Sequence, residues 1–294
     1  MVIGIDPTVD FACKRVLGSP GHPAITLHFL NAVLRFPSPI RDVQILNPTI
    51  EKEFESDKWS LLDILAKDEQ GRLFDIEIQT TRPLGLRQRL AYYASSLLVG
   101  QLESGGDYQE LRPSIGICLL DAIEFQNENA LQHDFQLRTE GGLLLTDCLR
   151  IQLFELPKYV PPSDNRLIDD PVEQWLYFFC RAGKSTAEEL TGRLPDPVFV
   201  EATGVLEMIA KNPEERRLYN ERLKMERDER ARNLQAREDG LQEGLQAGAM
   251  IGRVQILQEL NGLTCQSTDD LARLSVAELA ALELELQQRL RGRG

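Results

Sequence analysis

The stretch Leu73-Phe-Asp-Ile-Glu-Ile-Gln79 constrains this chain most. It alternates with period two, so Phe74, Ile76 and Ile78 share one face of a strand and Asp75, Glu77 and Gln79 the other. An apolar run, Trp59 to Ala66, precedes it and holds a single acid, Asp63. Between the two runs, Glu69-Gln70-Gly71 fits a three-residue hairpin loop, with glycine in the left-handed position of a bulge. In that register Asp68 faces Arg72 and Asp63 lies directly opposite Glu77. Directly opposed residues have Cβ atoms ~5 Å apart. Two carboxylates so placed, with Asp75 beside them, destabilise the pair of strands unless a cation sits between them.

The surrounding segments read as a mixed α/β arrangement. Asp10 to Leu17 reads as a short helix with Gly18 as its stop. A second helix runs from Ala24 to Leu34, with Leu27, Leu30 and Leu34 on one face. Val43-Gln-Ile-Leu46 reads as a strand. Pro83 to Leu102 reads as a helix, with Leu86, Leu90, Tyr93 or Ala94, and Leu97 recurring at helical spacing. From Ile78 to Leu102 there are three arginines, Arg82, Arg87 and Arg89, and no acid. Pro113 to Ala122, with its apolar centre Ile115 to Leu120, reads as a buried strand, and Cys148 to Leu156 as another. Residues 156–165 read as a connector on their prolines and polar residues.

Beyond the connector the chain reads as almost wholly helical. Val172 to Cys180 is rich in aromatics and predicts a docked helix. Residues 198–239 read as one long charge-laced helical stretch whose mixed charges form a solvated face. Gly240, Gly244, Gly248 and Gly252 then recur every fourth residue. They fit either a helix face open to close approach or a frayed tether, since each costs a helix about 1 kcal/mol relative to alanine. In the last segment, Asp269 to Leu290, Ser275 and Glu278 form a capping-box pattern.

Composition excludes several classes. No apolar run approaches the ~18 residues of a membrane span. The start, Met-Val-Ile-Gly-Ile-Asp-Pro, lacks the basic n-region and long apolar stretch of a signal peptide. The five cysteines (Cys13, Cys118, Cys148, Cys180, Cys265) are scattered, without a CxxC pair. That pattern predicts free thiols in a reducing cytoplasm rather than disulfides or a zinc site. Cys13 and Cys118 lie in apolar runs and read as buried thiols, and Tyr92 and Tyr93 read as core. The three histidines are too far apart to suggest a triad. A formal net charge of −13 argues against nucleic-acid binding by the whole surface, though not at a local site.

Asp63 and Glu77 on adjacent strands can hold a hard divalent cation. Mg²⁺ takes oxygen ligands, uses one or two protein carboxylates, and fills its other positions with water and substrate phosphate. Gln79 shares their face, and its amide can orient a water or a phosphate oxygen. The order of acid-bearing strand, turn, strand with acid-x-Gln, then helix resembles the PD-(D/E)XK nuclease superfamily. More narrowly it resembles the Rpn family of recombination-promoting, transposase-like nucleases. The stretches that carry the resemblance are Asp10-Phe-Ala-Cys-Lys-Arg-Val-Leu-Gly18, Phe29 to Leu34, Lys58 to Leu65, Phe74-Asp-Ile-Glu-Ile-Gln79 and Arg89-Leu-Ala-Tyr-Tyr93. Phe154-Glu-Leu-Pro-Lys158, Glu201-Ala202 and the Glu-Gly repeats at 238–240 and 243–244 also fit.

The resemblance implies a restriction-endonuclease-like central mixed sheet flanked by helices, with a helical C-terminal extension. The boundaries expected are a nuclease-like domain over 1–160, a helical extension over 165–239, and a glycine-spaced segment with a leucine-rich tail over 240–294. The periodicities predict about four or five strands in the sheet. Carried over residue by residue, the resemblance makes Asp63 and Glu77 metal-binding acids and Gln79 the variant of the catalytic lysine. It makes Asp10 a candidate third acid. With lysine absent from position 79, water is activated differently, or Lys58 or Lys67 takes the role, or the site is weakened. The implied activity is Mg²⁺-dependent hydrolysis of DNA phosphodiesters, with Mn²⁺ or another divalent cation as a substitute. Arg82, Arg87 and Arg89 would contact the DNA backbone. The setting it implies is recombination or mobile-element activity in a bacterium, while the scattered thiols point to the cytoplasm and the glycine stripe to a homodimer through the C-terminal helices. The alternative keeps the fold and drops the chemistry, leaving a degenerate nuclease fold that binds DNA or protein.

Overall fold

The computed structural model describes residues 1–46, 63–103, 105–164 and 166–292. By packing, the chain forms two compact units, Met1–Glu226 and Arg227–Gly294.

The first unit opens with α1 (Asp10–Leu17), which buries Ala12, Cys13, Val16 and Leu17 and ends where Gly18 donates its N–H back to the Lys14 carbonyl. Helix α2 (Pro23–Leu34) starts on a proline, where the missing N–H costs nothing. Then come β1 (Val43–Ile45), β2 (Ile64–Asp68) and β3 (Leu73–Gln79). Strand β2 pairs antiparallel with both neighbours. The part of the apolar run before Asp63 lies outside the described residues.

The β2–β3 register is set at the turn. Ile64 pairs with Ile76, Leu65 with Asp75, Ala66 with Phe74 and Lys67 with Leu73. Gly71 takes φ +81°, a conformation that favours glycine. Asp68 Oδ1 accepts the N–H groups of Gln70 and Arg72, both at 2.9 Å, and Oδ2 pairs with Arg72 Nε at 2.5 Å. The same arginine lies 4.1 Å over the Phe36 ring, so the hairpin end is locked from both sides.

Helix α3 (Leu86–Val99) follows. It is shorter than the expected Pro83–Leu102 because Gly85 caps it in a left-handed conformation, φ 78°, and Gly100 ends it. Strands β4 (Ser114–Leu120), β5 (Gln132–Arg138) and β6 (Leu144–Glu155) complete the sheet. Among the described residues the sheet has six strands, in the order β1-β2-β3-β4-β6-β5, with β3, β4 and β6 parallel. The sequence predicts only four or five because β5 is polar and exposed, an edge strand without clean alternation. Strand β6 also begins earlier than Cys148, in the exposed leucines of its hairpin with β5.

One face of the sheet, carrying Phe74, Ile76, Ile78, Ile115, Ile117 and Leu119, enters a large core. That core is shared with α1, α2 and two later helices, α4 (Pro171–Arg181) and α6 (Val198–Lys211). Between them lies the short α5 (Ala187–Thr191), closed by a Thr186–Glu189 capping box. Trp175 packs against Phe29, Phe178, Phe179 and Phe199 at ring separations of 4.8–5.8 Å. On the other face Leu86 and Leu90 of α3 cover Cys118, Leu120 and Leu153. Cys13 and Cys118 are buried free thiols, and burial pushes both well above the usual thiol range. Tyr92 departs from expectation, being 67% exposed, while Tyr93 packs near Leu65, Leu73 and Leu97.

Helix α7 (Pro213–Leu260) is separate from α6, correcting the single stretch expected from residue 198. Pro213 cannot continue a helix, and Asn212 caps the new one through the N–H groups of Glu214 and Glu215. In the second unit α7 is followed by α8 (Thr268–Leu271) and α9 (Val276–Arg291). Its core joins Ile251, Val254, Leu271, Leu279 and Leu286. The Ser275–Glu278 capping box is formed. All four spaced glycines lie inside α7, and among the described residues nothing approaches their Cβ positions within 4 Å.

Candidate active site

Asp63 is the residue just before β2, and the register that pairs Ile64 with Ile76, carried one step further, sets it opposite Glu77. Asp63 Oδ2 accepts the N–H of Ile78 at 3.3 Å, which holds the carboxylate against β3. Glu77 is buried, its side chain 1% exposed. Its Oε2 accepts from Gln79 Nε2 at 3.0 Å and Arg89 Nη2 at 3.1 Å, while Oε1 is buried without a hydrogen-bond partner. Asp75, two residues earlier on the same face, is equally buried, and its Oδ1 also has no partner.

Two helices bring cations to these acids. From α1, Lys14 Nζ lies 3.1 Å from Asp63 Oδ1 and 2.8 Å from Asp10 Oδ1. From α3, Arg89 reaches Glu77 and rests 5.2 Å from the Tyr93 ring centroid. Asp10 is further engaged by the opening of α7. Arg222 Nε lies 3.0 Å from its Oδ2, and its backbone N–H donates to Glu226 Oε1 at 3.0 Å.

The carboxyls respond to this crowding. Burial and the Asp63 charge push Glu77 up to about 7, against the pull of Arg89 and Gln79. Burial, then the charges of Glu77 and Asp63, raises Asp75 well above the usual carboxylate range. Asp63 is raised by burial and by Asp10, with Lys14 pulling the other way. Burial would lower Lys14, but Asp63 and Asp10 more than offset it and hold the ammonium protonated. Raised carboxyls with unpartnered buried oxygens mark a place with too little positive charge.

That shortage fits a divalent cation. Among the described residues no three His, Cys, Asp or Glu side chains form a ready cation cage. A pair of carboxylates is nonetheless what Mg²⁺ takes when substrate phosphate and water complete its shell. Asp63 and the free Oε1 of Glu77 are the oxygens that fit.

The structure separates the three arginines. Arg89 belongs to the acid cluster. Arg82 and Arg87 instead pair through Nε with Glu124, at 2.6 and 2.5 Å. Glu124 is buried and the two arginines are about half exposed. Arg87 also stacks over Phe125 at 4.6 Å, and these residues line a cleft of about 400 Å³. Of the two substitute lysines, Lys67 is exposed and paired with Leu73 beside the turn, and Lys58 lies outside the described residues.

Sequence reasoning missed several residues that shape this region. Lys14 follows Asp10 by four residues, a spacing that puts both on one face of α1. Arg222 and Glu226 left no local signal. Glu155, in the Phe154-Glu-Leu-Pro-Lys158 stretch, is another. Fully buried, it accepts the N–H groups of Glu124 and Phe125 and pairs with Lys158 at 2.5 Å and His133 at 3.0 Å. Lys158 also donates to the carbonyls of Phe125, Glu128 and Ala130. The Phe-Glu-Leu-Pro-Lys stretch thus anchors the loop that presents Glu124 to the arginines.

The family model for PD-(D/E)XK nuclease family transposases matches residues 7–236. Comparison with curated proteins gives no match, and comparison with solved structures gives none.

Proposed function

The chain belongs to the PD-(D/E)XK nuclease family transposases, and from that membership we propose a divalent-metal-dependent DNA endonuclease that hydrolyses phosphodiesters. The observation that carries this reading is the Asp63–Glu77 pair, brought together by the hairpin register, with Glu77 Oε1 buried and unpartnered. Asp63 and Glu77 would hold Mg²⁺, or Mn²⁺ in its place. The cation supplies Lewis acidity toward phosphate and water.

The chain's own residues prepare that site. Gln79 and Arg89 both donate to Glu77 Oε2, which fixes the carboxylate and leaves Oε1 as the ligating oxygen. Gln79 keeps an amide oxygen with which to orient a water. Arg82 and Arg87 are the groups for the DNA backbone, presented side by side on Glu124. The biological setting in this reading is recombination or mobile-element activity in a bacterial cytoplasm.

The test is supercoiled plasmid incubated with the full chain in Mg²⁺, Mn²⁺ or EDTA, beside Asp63→Ala and Glu77→Ala. Metal-dependent nicking lost in both variants is expected. The folded protein should also melt at higher temperature with metal, by mass action on the native state. Equal nicking by the variants would place the chemistry elsewhere. A folded wild type that neither cleaves nor gains stability from metal would instead favour a degenerate fold that binds partners.

A further inference from the structure

We propose that Lys14 is the catalytic lysine of this site, supplying from helix α1 the positive charge that strand β3 does not offer at Gln79. The inference rests on the nuclease reading above and assigns it one more residue.

Among the described residues, Lys14 is the lysine that forms ion pairs with these acids. Its Nζ bridges Asp63 Oδ1 at 3.1 Å and Asp10 Oδ1 at 2.8 Å, and its side chain is 20% exposed. An ammonium has three donors. Two face Asp10 and Asp63, and one is left for a phosphate oxygen. Lys67 cannot serve: it sits four positions along the strand from Asp63, about 13 Å at strand rise, and is exposed beside the turn. Arg89 is spoken for by Glu77 and Tyr93.

The surroundings are built to hold Lys14 in place. Both Asp10 oxygens face cations, Oδ1 toward Lys14 and Oδ2 toward Arg222 at 3.0 Å. Glu226 fixes the backbone N–H of the same residue at 3.0 Å. Held between Lys14, Arg222 and Glu226, Asp10 acts as a positioning residue that aims Lys14 at Asp63. Arg222 and Glu226 lock Asp10 in turn.

In the reaction, the oxygen of water bonds to phosphorus as the bond from phosphorus to the leaving sugar oxygen breaks. The proton released by the water balances the one the leaving oxygen takes up. Lys14 keeps its proton throughout and hydrogen-bonds a non-bridging phosphate oxygen, where negative charge builds in the transition state.

The test compares full-length wild type with Lys14→Met, Lys14→Arg and Lys67→Met. Two readouts are taken: plasmid cleavage at saturating Mn²⁺, and Mn²⁺ affinity by calorimetric titration. Lys14→Met should lose on the order of 100-fold or more in rate, the usual loss when one such donor is removed. It should bind Mn²⁺ at least as tightly as wild type, because a like charge beside Asp63 is gone. Lys14→Arg should retain more cleavage than Lys14→Met, and Lys67→Met should match wild type. Should Lys14→Met fail to fold, Lys14→Gln removes the charge and keeps a donor, and the same split is expected of it. Cleavage by Lys14→Met within about threefold of wild type overturns the assignment. So does loss of Mn²⁺ binding together with cleavage, which would make the ammonium a structural prop for Asp63. A wild type that binds Mn²⁺ and never cleaves overturns the nuclease reading, and this assignment with it. A cleaving wild type with an equally active Lys14→Met overturns the lysine alone.

Discussion

Replacing Glu77 by glutamine should flatten the pH dependence of stability in the absence of metal. The Glu77 side chain is 1% exposed, and burial with the Asp63 charge moves its carboxyl from 4.5 to about 7. The folded chain therefore binds more protons than the unfolded chain between those two pH values. Stability from this group is fully present below 4.5 and is lost as pH rises through about 7. At about 1.4 kcal/mol for each tenfold change in proton affinity, the wild type loses about 3 kcal/mol across that window. Glutamine has no proton to lose, so the variant keeps that stability. It also relieves Asp75, whose carboxyl is raised partly by the Glu77 charge. The assay is urea unfolding in EDTA at pH 5 and pH 8, followed by tryptophan fluorescence, to which Trp175 in the first unit's core contributes. The wild type should lose about 3 kcal/mol more than Glu77→Gln between the two conditions. Adding Mg²⁺ at pH 8 should restore the wild type and leave the variant unchanged. Parallel pH curves for the two proteins would refute the reasoning, because they would mean that Glu77 ionises as it does in water.

Other outcomes are expected elsewhere. Arg82→Ala and Arg87→Ala should each reduce the slope of log affinity for duplex DNA against log salt by about 1 if both meet phosphate; unchanged slopes would mean that these arginines serve to hold Glu124 and not DNA. Lys158→Met strips the cation from fully buried Glu155 and should cost about 3 kcal/mol by chemical denaturation. Gly71→Ala forces a side chain into φ +81° and should cost about 1–2 kcal/mol. Ser275→Ala should destabilise the second unit by about 1 kcal/mol in thermal melts.

The parts of the site legible in the sequence are those fixed by short-range chemistry. The hairpin register follows from Asp68, Gly71 and Arg72, which interact within five residues of one another, so pattern alone placed Asp63 near Glu77. The buried strand β4 was legible because a central parallel strand is apolar on both faces. Strand β5 was not, because an edge strand is bonded on one side only and its exposed residues carry no alternation. The arginines of α3 were legible as a basic stretch but not as two sites. Arg87 and Arg89 are two residues apart, about 200° around a helix, so one meets Glu124 and the other Glu77. Arg222 and Glu226 were hidden most completely. A charge-laced helix reads as solvated unless something charged is packed on it, and Asp10 lies more than two hundred residues earlier in the chain.

The charge balance of the cluster ties these observations to one requirement. Asp10, Asp63, Asp75, Glu77 and Glu226 are linked through shared contacts and mutual repulsion, and Lys14, Arg89 and Arg222 are the cations paired with them. Fully ionised, those five acids and three cations leave two negative charges. The chain can remove them by holding protons, and the raised Asp75, Glu77 and Glu226 carboxyls are that response. A divalent cation removes the same two charges without protons, and would let those carboxyls ionise. Metal binding should therefore release protons near neutral pH. Titrating Mn²⁺ into the protein at pH 7 in two buffers of different ionisation enthalpy should give different apparent heats, the difference reporting about half a proton for Glu77, which is raised to about 7, and more if Asp75 follows. Equal heats in both buffers would mean that the carboxyls are already ionised before metal arrives. The shortage of positive charge read from the fold would then be absent.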